Sequence, residues 1–195
     1  MTIYVALLRA VNVGGTGMLP MKTLAAMCTE LGFAHVKTYI QSGNVVFASK
    51  LPKEKACATL ERALEKQMGK KVDVVLRDAA EMKAALARNP FPNEPPAKVA
   101  VVFCSRPVDK AACRKVLAPA GEKLVAEDQE FYVFYPDGMG QSKLKFPKME
   151  GVATVRNINT VAKLVAMSDE IAAVTTTARS ASSSPRRRSG PSTPA

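Results

Sequence analysis

The order of elements predicts an α+β protein in two halves, each carrying an antiparallel sheet, with an extra C-terminal helix and a disordered tail. Three observations carry that prediction. Short apolar runs alternate with 3.6-residue apolar stripes, a Pro-rich break falls near the middle, and the end is Ser, Thr, Ala, Pro and Arg. The 195 residues fit one large domain or two small ones, and 47% hydrophobic content supplies a core.

Residues 3–11 are apolar except for Arg9 and read as a central strand. A glycine-bearing loop follows. Leu24, Met27, Cys28 and Leu31 then make a stripe that predicts a helix over 21–32, stopped at Gly32. Residues 35–41 and 44–49 read as strands joined by a tight hairpin at Ser42-Gly43. An amphipathic helix over 53–68 ends at Gly69, and residues 72–77 return as a strand. This β-α-β-β-α-β order is the ferredoxin-like arrangement. Asp78-Ala79-Ala80-Glu81 has capping-box spacing and starts a further helix with Met82, Ala85 and Leu86 inward.

Asn89-Pro90-Phe91-Pro92-Asn93-Glu94-Pro95-Pro96 breaks regular structure. The expected division is a first ferredoxin-like half over 1–88, a linker over 89–97, a second α/β-plait half with a C-terminal helix over 98–170, and a basic tail over 171–195. The second half restarts with strand 98–104, helix 109–118, strands 123–127 and 130–135, and a short helix near 141–146. A last helix is expected over about 157–169, with Ile158, Val161, Ala162 and Val165 inward. The element order echoes the first half, without a visible residue repeat. From Thr175 onward the chain has too little apolar area to offset its ordering entropy and reads as disordered.

Net charge is +11, of which Arg179, Arg186, Arg187 and Arg188 in the acid-free tail supply four, leaving +7 on the body. That balance points to phosphate-bearing partners. The N-terminus has no signal-peptide pattern, and the longest aliphatic strings, such as 99–103, are too short to cross a bilayer, so a cytoplasmic protein without a membrane partner is expected. Cys28, Cys57 and Cys113 lie on apolar helical faces and Cys104 ends a strand, with no C-x-x-C pair; they read as reduced core residues.

Two polar segments end apolar runs: Asn12-Val13-Gly14-Gly15 and Gln41-Ser42-Gly43-Asn44. In the ferredoxin-like order the first two strands are parallel, with the third between them. Both segments then sit at one sheet edge, about two strand spacings or ~10 Å apart. Arg9, Asn12, Gln41, Ser42 and Asn44 offer hydrogen bonds there, while Gly14, Gly15 and Gly43 permit close backbone approach. A small anionic ligand, phosphorylated or carboxylated, is the expected partner. The same residues also serve as turn and strand-to-helix chemistry, and both readings stand.

The segments Tyr4-Val5-Ala6-Leu7-Leu8-Arg9-Ala10-Val11-Asn12-Val13-Gly14-Gly15 and Tyr39-Ile40-Gln41-Ser42-Gly43-Asn44-Val45-Val46-Phe47 closely resemble the bacterial domain of unknown function family 1697. Ser142-Lys143-Leu144 and Thr154-Val155-Arg156-Asn157-Ile158-Asn159-Thr160-Val161 extend the likeness, which spans roughly residues 3–168. The family usually has Gly at the position of Ala10, Ile at that of Val11 and Trp at that of Ile158. The resemblance implies a duplicated ferredoxin-like, α/β-plait architecture and no established activity. It also draws attention to Arg156, Asn157, Asn159 and Thr160 at the start of the last helix, and to Ser142 and Lys143, as anion-binding or capping groups.

Catalytic chemistry is sparse. His35 is the only histidine, and the acids Asp73, Asp78, Glu127, Asp128 and Asp137 form no spaced pair. No P-loop, G-x-G-x-x-G or G-x-S-x-G pattern is present, and no metal or cofactor is expected. Residues 41–47 are faintly like the third strand of an RNA-recognition domain, with Tyr4, Tyr39 and Phe47 as the aromatics. The alternatives to small-anion binding are a sequence-tolerant nucleic-acid binder using an open sheet face, an enzyme stabilising an anionic transition state through backbone N–H groups and Arg156, and a dimerising role. The residues point to no particular oligomeric state.

Overall fold

The computed structural model describes residues 1–13 and 18–182, with side chains to residue 176. The elements are β1 (Thr2–Leu8), α1 (Met21–Glu30), β2 (Ala34–Tyr39), β3 (Asn44–Ser49), α2 (Lys53–Met68), β4 (Val74–Asp78), α3 (Ala79–Ala87), β5 (Val99–Cys104), α4 (Lys110–Arg114), β6 (Lys123–Ala126), β7 (Glu130–Phe134), β8 (Ala153–Asn157) and α5 (Ile158–Ser182). They form two four-stranded antiparallel sheets, ordered β2-β3-β1-β4 and β6-β7-β5-β8.

Period-2 packing on two covered faces explains the all-apolar central strands. On the outer face of the first sheet, Tyr4, Ala6, Leu8, Val45 and Phe47 meet Leu24 and Cys28 of α1 and Ala56, Leu60 and Leu64 of α2. On the inner face, Val5, Leu7, Val46 and Val75 join Val101, Phe103 and Tyr132 of the second sheet in one cluster, with Met82 and Ala85 of α3 and five residues of α5. The two halves therefore share their largest core. The expected linker takes part: Phe91 is buried against Phe134, with ring centroids 6.2 Å apart.

Caps agree with the sequence at two helices. Asp78 and Glu81 close the capping box of α3, and Gly69 ends α2 in the left-handed region at φ 66°.

Several elements depart from expectation. The segment 40–43 is a four-residue turn between β2 and β3, not a two-residue hairpin. Helix α4 has five residues, because the following Ala118-Pro119-Ala120-Gly121 disfavours continuation. The expected helix near 141–146 is a single 3-10 turn over Met139–Gln141, followed by irregular chain. There, half-buried Leu144, Phe146 and Met149 cover the outer face of the second sheet, and Phe146 meets Phe131 edge-on at 5.1 Å. Lys143, Lys145 and Lys148 alternate outward; period-2 exposure is incompatible with a helix on that surface.

Helix α5 runs to Ser182, well past 169 and into the stretch expected to be disordered. Its first turns are anchored by Ile158, Val161, Leu164, Met167 and Ile171, and by ion pairs from Asp169 to Lys83 and Glu170 to Lys37. A nucleated helix propagates through Ala-rich chain at little cost. The tail beyond 182 and Gly14, Gly15, Thr16 and Gly17 lie outside the described residues.

The registers reveal a residue repeat. Val5 pairs with Val46 and Arg77, and Val101 pairs with Tyr132 and Arg156. Shifting outward by the same steps makes Leu8 equivalent to Cys104, Gly43 to Gln129, and Asp78 to Asn157. The closing backbone bonds match: Leu8 N donates to Gly43 O at 2.9 Å, and Cys104 N to Gln129 O at 2.8 Å. The last strand of each half also sends an arginine into the other half at equivalent carbonyls. Arg77 Nη2 donates to Cys104 O (2.7 Å) and Gln129 O (3.1 Å). Arg156 Nη2 donates to Leu8 O (2.8 Å) and Gly43 O (3.2 Å). Each arginine also bonds the carbonyl of its preceding residue, Leu76 O or Val155 O, on the outer edge of its strand. The halves are thus clasped reciprocally.

Candidate functional site

The expected convergence at the Gly43 edge exists. Asn12 Nδ2 donates to Gln41 O at 2.8 Å, joining the β1 end to the β2–β3 turn. The same side chain accepts from Leu19 N (2.6 Å) and donates to Leu19 O (3.0 Å), so it closes the base of the loop it begins. Backbone strain gathers here: Ala10, Asn12 and Ile40 have φ of 51°, 57° and 49°. Gly43 is required twice over. Its φ is +78°, and a Cβ there would lie 2.3 Å from Val11 Cγ2 and 2.9 Å from Leu8 Cβ.

The polar groups of this edge are spent on one another. Asn44 is fully buried; its Nδ2 donates to Tyr39 O and Ser42 Oγ, and its Oδ1 accepts from Arg156 Nε. Arg156 further donates to Thr154 Oγ1, Val155 O, Leu8 O, Ser42 O and Gly43 O. Every guanidinium nitrogen is engaged with a neutral oxygen, and burial pulls Arg156 down to about 10. No donor is left over for an anion. Arg156 reaches the edge as a fastener, which corrects its expected role as an anion ligand. Gly43 and Asn44 are likewise packed, which corrects their expected role as an open cradle.

The other expected residues are dispersed. Arg9 is exposed and pairs with Asp73 Oδ2 at 3.4 Å, while Lys71 holds the other oxygen of the same carboxylate. Gln41 and Ser42 are exposed on the turn. Asn157 Nδ2 donates to Pro96 O, Ala97 O and Val99 O, and its Oδ1 accepts from Asn159 N at the start of α5, a tie between the 89–98 segment and the last helix. Asn159 is exposed and Thr160 half-buried on the same turn. Ser142 donates to Glu122 and accepts from Leu144 N. Glu122 adjoins β6, at the opposite edge of the sheet from β8 and Arg156, with two strands between. Lys143 therefore belongs to a different surface from the Gly43 edge.

That surface is one the sequence reading saw only in part. Arg106, Arg114 and Lys115 around α4, with Lys143, Lys145 and Lys148, have no carboxylate within ion-pair distance among the described residues. A cavity of about 550 Å³ is lined by half-buried Ala112, Val116 and Pro147 and rimmed by exposed Leu117, Lys115, Lys143 and Lys145. A second, of about 420 Å³, lies at the N-terminal end of α4, where Arg106 and Lys148 are accompanied by Asp109 and Glu150, so its charge is balanced. The Lys-x-Lys-x-x-Lys alternation against Leu144 and Phe146 was the available signal; reading 141–146 as a helix hid it.

Other chemistry recedes. Burial pushes Cys28 up to about 12 and Cys57 and Cys104 up to about 11, so these thiols stay protonated. Among the described residues no group of three His, Cys, Asp or Glu is placed to hold a metal, and no helix is long and apolar enough to cross a membrane. Tyr4 and Phe47 are buried beneath α1 and α2, and both faces of the first sheet are covered, so the expected open face with exposed aromatics is absent from the described residues.

The fold and its internal clasp define a duplicated α+β protein whose conspicuous surface is basic. The chain belongs to the family described as "Protein of unknown function (DUF1697)", whose pattern matches residues 1–132. Among solved structures it is similar to the conserved bacterial protein SP0830 from Streptococcus pneumoniae, with 24% identity and a TM-score of 0.69, covering 86% of this chain and 98% of that one. That likeness shows the fold. No curated protein matches the chain.

Proposed function

We propose that this protein binds a small phosphate-bearing molecule in the cavity between α4 and the 143–148 segment. The carrying observation is uncompensated charge. Lys115, Lys143 and Lys145 rim one cavity whose lining holds no carboxylate, and none of the three is in an ion pair among the described residues. Clustered like charges cost stability unless a counter-charge visits them. The apolar lining of Val116 and Pro147, with exposed Leu117 at the rim, suits a ring or short chain on the ligand. Of the residues expected from sequence, Lys143 alone lies on this face; the Gly14/Ser42 edge is set aside because its described polar groups bind each other.

The reading also takes each half as ferredoxin-like, supported by the equivalent strand orders of the two sheets. It takes the protein as cytoplasmic and bacterial, supported by four free cysteines and the solved bacterial relative.

Calorimetric titration with adenosine, AMP, ADP and ATP tests the proposal. Affinity should rise with phosphate number and fall about tenfold in Lys143→Glu/Lys145→Glu, since that change reverses two charges at the rim. Equal binding of adenosine and ATP, or no binding to any of them, removes it.

A further inference from the structure

We propose that Glu122 and Ser142 are positioning residues of the cavity between α4 and the 143–148 segment, a strut that fixes how far Lys115 stands from Lys143 and Lys145. The inference rests on the phosphate-binding reading and says what makes its cations act together. Glu122 is buried where β6 begins. Its Oε2 accepts from Ala120 N at 2.9 Å, in the loop that follows Lys115, Leu117 and Pro119. Its Oε1 accepts from Ser142 Oγ, which in turn accepts from Leu144 N at 3.0 Å, between Lys143 and Lys145. Ser142 is half-buried and outside the cavity lining, so it acts through its neighbours.

Neither wall of the cavity is held by a ladder. Residues 115–122 and 142–149 lie outside every helix and strand. The backbone bonds of the first wall stay local: Lys115 N donates to Ala112 O, Val116 N to Cys113 O and Gly121 N to Ala118 O. Ser142 N likewise donates to Met139 O in its own turn. Among the described residues, Glu122 is the hydrogen-bonded link from one wall to the other. The bonds from Ser142 and the Ala120 N–H hold its carboxyl below the ordinary carboxylate range, so at neutral pH it is ionised and only accepts.

The duplication supplies an internal comparison. Val46 is equivalent to Tyr132, and the pairs Ala34–Ala48 and Lys123–Phe134 then make Ala34 equivalent to Lys123, and Phe33 to Glu122. The preceding glycines agree: Gly32 and Gly121 have φ of 80° and 76°, and each N–H donates to the carbonyl three residues back. In the first half, α1 runs ten residues, Met27 O takes the Leu31 N–H at 3.0 Å, and Phe33 stacks on Phe47 at 4.2 Å. In the second, α4 stops after five residues, and the Ala120 N–H, equivalent to that of Leu31, goes to Glu122. Burying a carboxylate where an aromatic ring packs in the sister half is costly unless its oxygens are bonded. One oxygen replaces the lost helix carbonyl; the other reaches across to the lysine strip.

Calorimetric titration of the full chain with AMP and ATP tests the strut. A triphosphate has the reach to engage both walls, whereas a monophosphate engages one. Ser142→Ala should weaken ATP about fivefold and AMP by less than about twofold, the size of one weakened exposed charge contact. Ser142→Thr, which keeps the hydroxyl, should restore ATP binding to within about twofold of wild type. Ser142→Ala/Glu122→Gln should bind ATP no worse than the weaker single variant, because both changes cut one link. Far-UV circular dichroism checks folding; if Glu122→Gln unfolds, the Ser142 variants decide alone. Wild-type ATP affinity in Ser142→Ala, an equal loss for AMP and ATP, or no rescue by Ser142→Thr each overturns the strut while the small-ligand reading stands. Failure of the wild-type chain to bind any nucleotide sinks both.

Discussion

Replacing Arg156 with methionine should unfold the protein more readily, and the size of the effect can be worked from its bonds. Methionine keeps most of the apolar stem and removes all donors. Gly43 O retains the Leu8 N–H, and exposed Ser42 O turns to water. Asn44 Oδ1 loses its donor in a fully buried site, and Leu8 O keeps only the long 3.5 Å contact from Thr154 Oγ1. Two buried acceptors left short cost about 1–2 kcal/mol each. The lost hydrogen bonds from a charged donor add about as much again, offset by no longer burying a cation without a counter-charge. The expected loss is about 3 kcal/mol, or roughly 6–12 °C in Tm for a chain of this size. Arg77→Met should cost a similar amount through Cys104 O and Gln129 O. Because both arginines fasten the same interface, the double variant should lose less than the sum by at least about 1 kcal/mol. Arg156→Lys should not rescue, since an ammonium cannot span acceptors placed for a fork. Urea unfolding with far-UV circular dichroism reads all four. A loss below about 1 kcal/mol for either single variant, or strict additivity, refutes the clasp; unchanged stability with loss of ligand would return Arg156 to the binding site.

Three smaller predictions follow from the same edge and its neighbours. Gly43→Ala should destabilise by about 2–4 kcal/mol, because the new Cβ meets Val11 and Leu8 and the backbone is left-handed; a change under about 1 kcal/mol in urea unfolding would contradict the packing described. Ile40→Asn should stabilise by about 1 kcal/mol, as a β-branched residue at φ 49° is strained where Asn is tolerated, and calorimetry should show Tm rising. Glu81 is pushed up by burial, but hydrogen bonds from Lys53 and the Asp78 N–H, with the charges of Lys53 and Arg77, outweigh this and leave it lowered. Its stabilisation is therefore complete above the unfolded carboxylate value of about 4.3 and disappears as pH falls through the lower folded value. Glu81→Gln should flatten the acid limb of a stability–pH curve below about pH 4, and an unchanged limb would refute the linkage.

What could be read from residues alone was whatever is local in sequence. The capping box at Asp78, the Gly69 stop, the α2 stripe and the all-apolar central strands each depend on neighbours within one or two turns, so their signals lie side by side in the chain. The meeting of the Asn12 and Gln41 segments was also legible, because the β-α-β-β-α-β order forces parallel first and second strands to end at one edge. The fate of Arg156 was not. Three of its six partners are backbone carbonyls of residues more than a hundred positions away, and a carbonyl carries no side-chain identity for a sequence to display. Arg77 likewise donates in the other half only to backbone carbonyls, 27 and 52 positions away, and the residue repeat appears as shared register and not as shared letters. Only the folded chain decided that the polar groups of the Gly43 edge would satisfy each other, and that the lysines of 143–148, laid along an extended cover in place of a helix, would face solvent without forming ion pairs among the described residues.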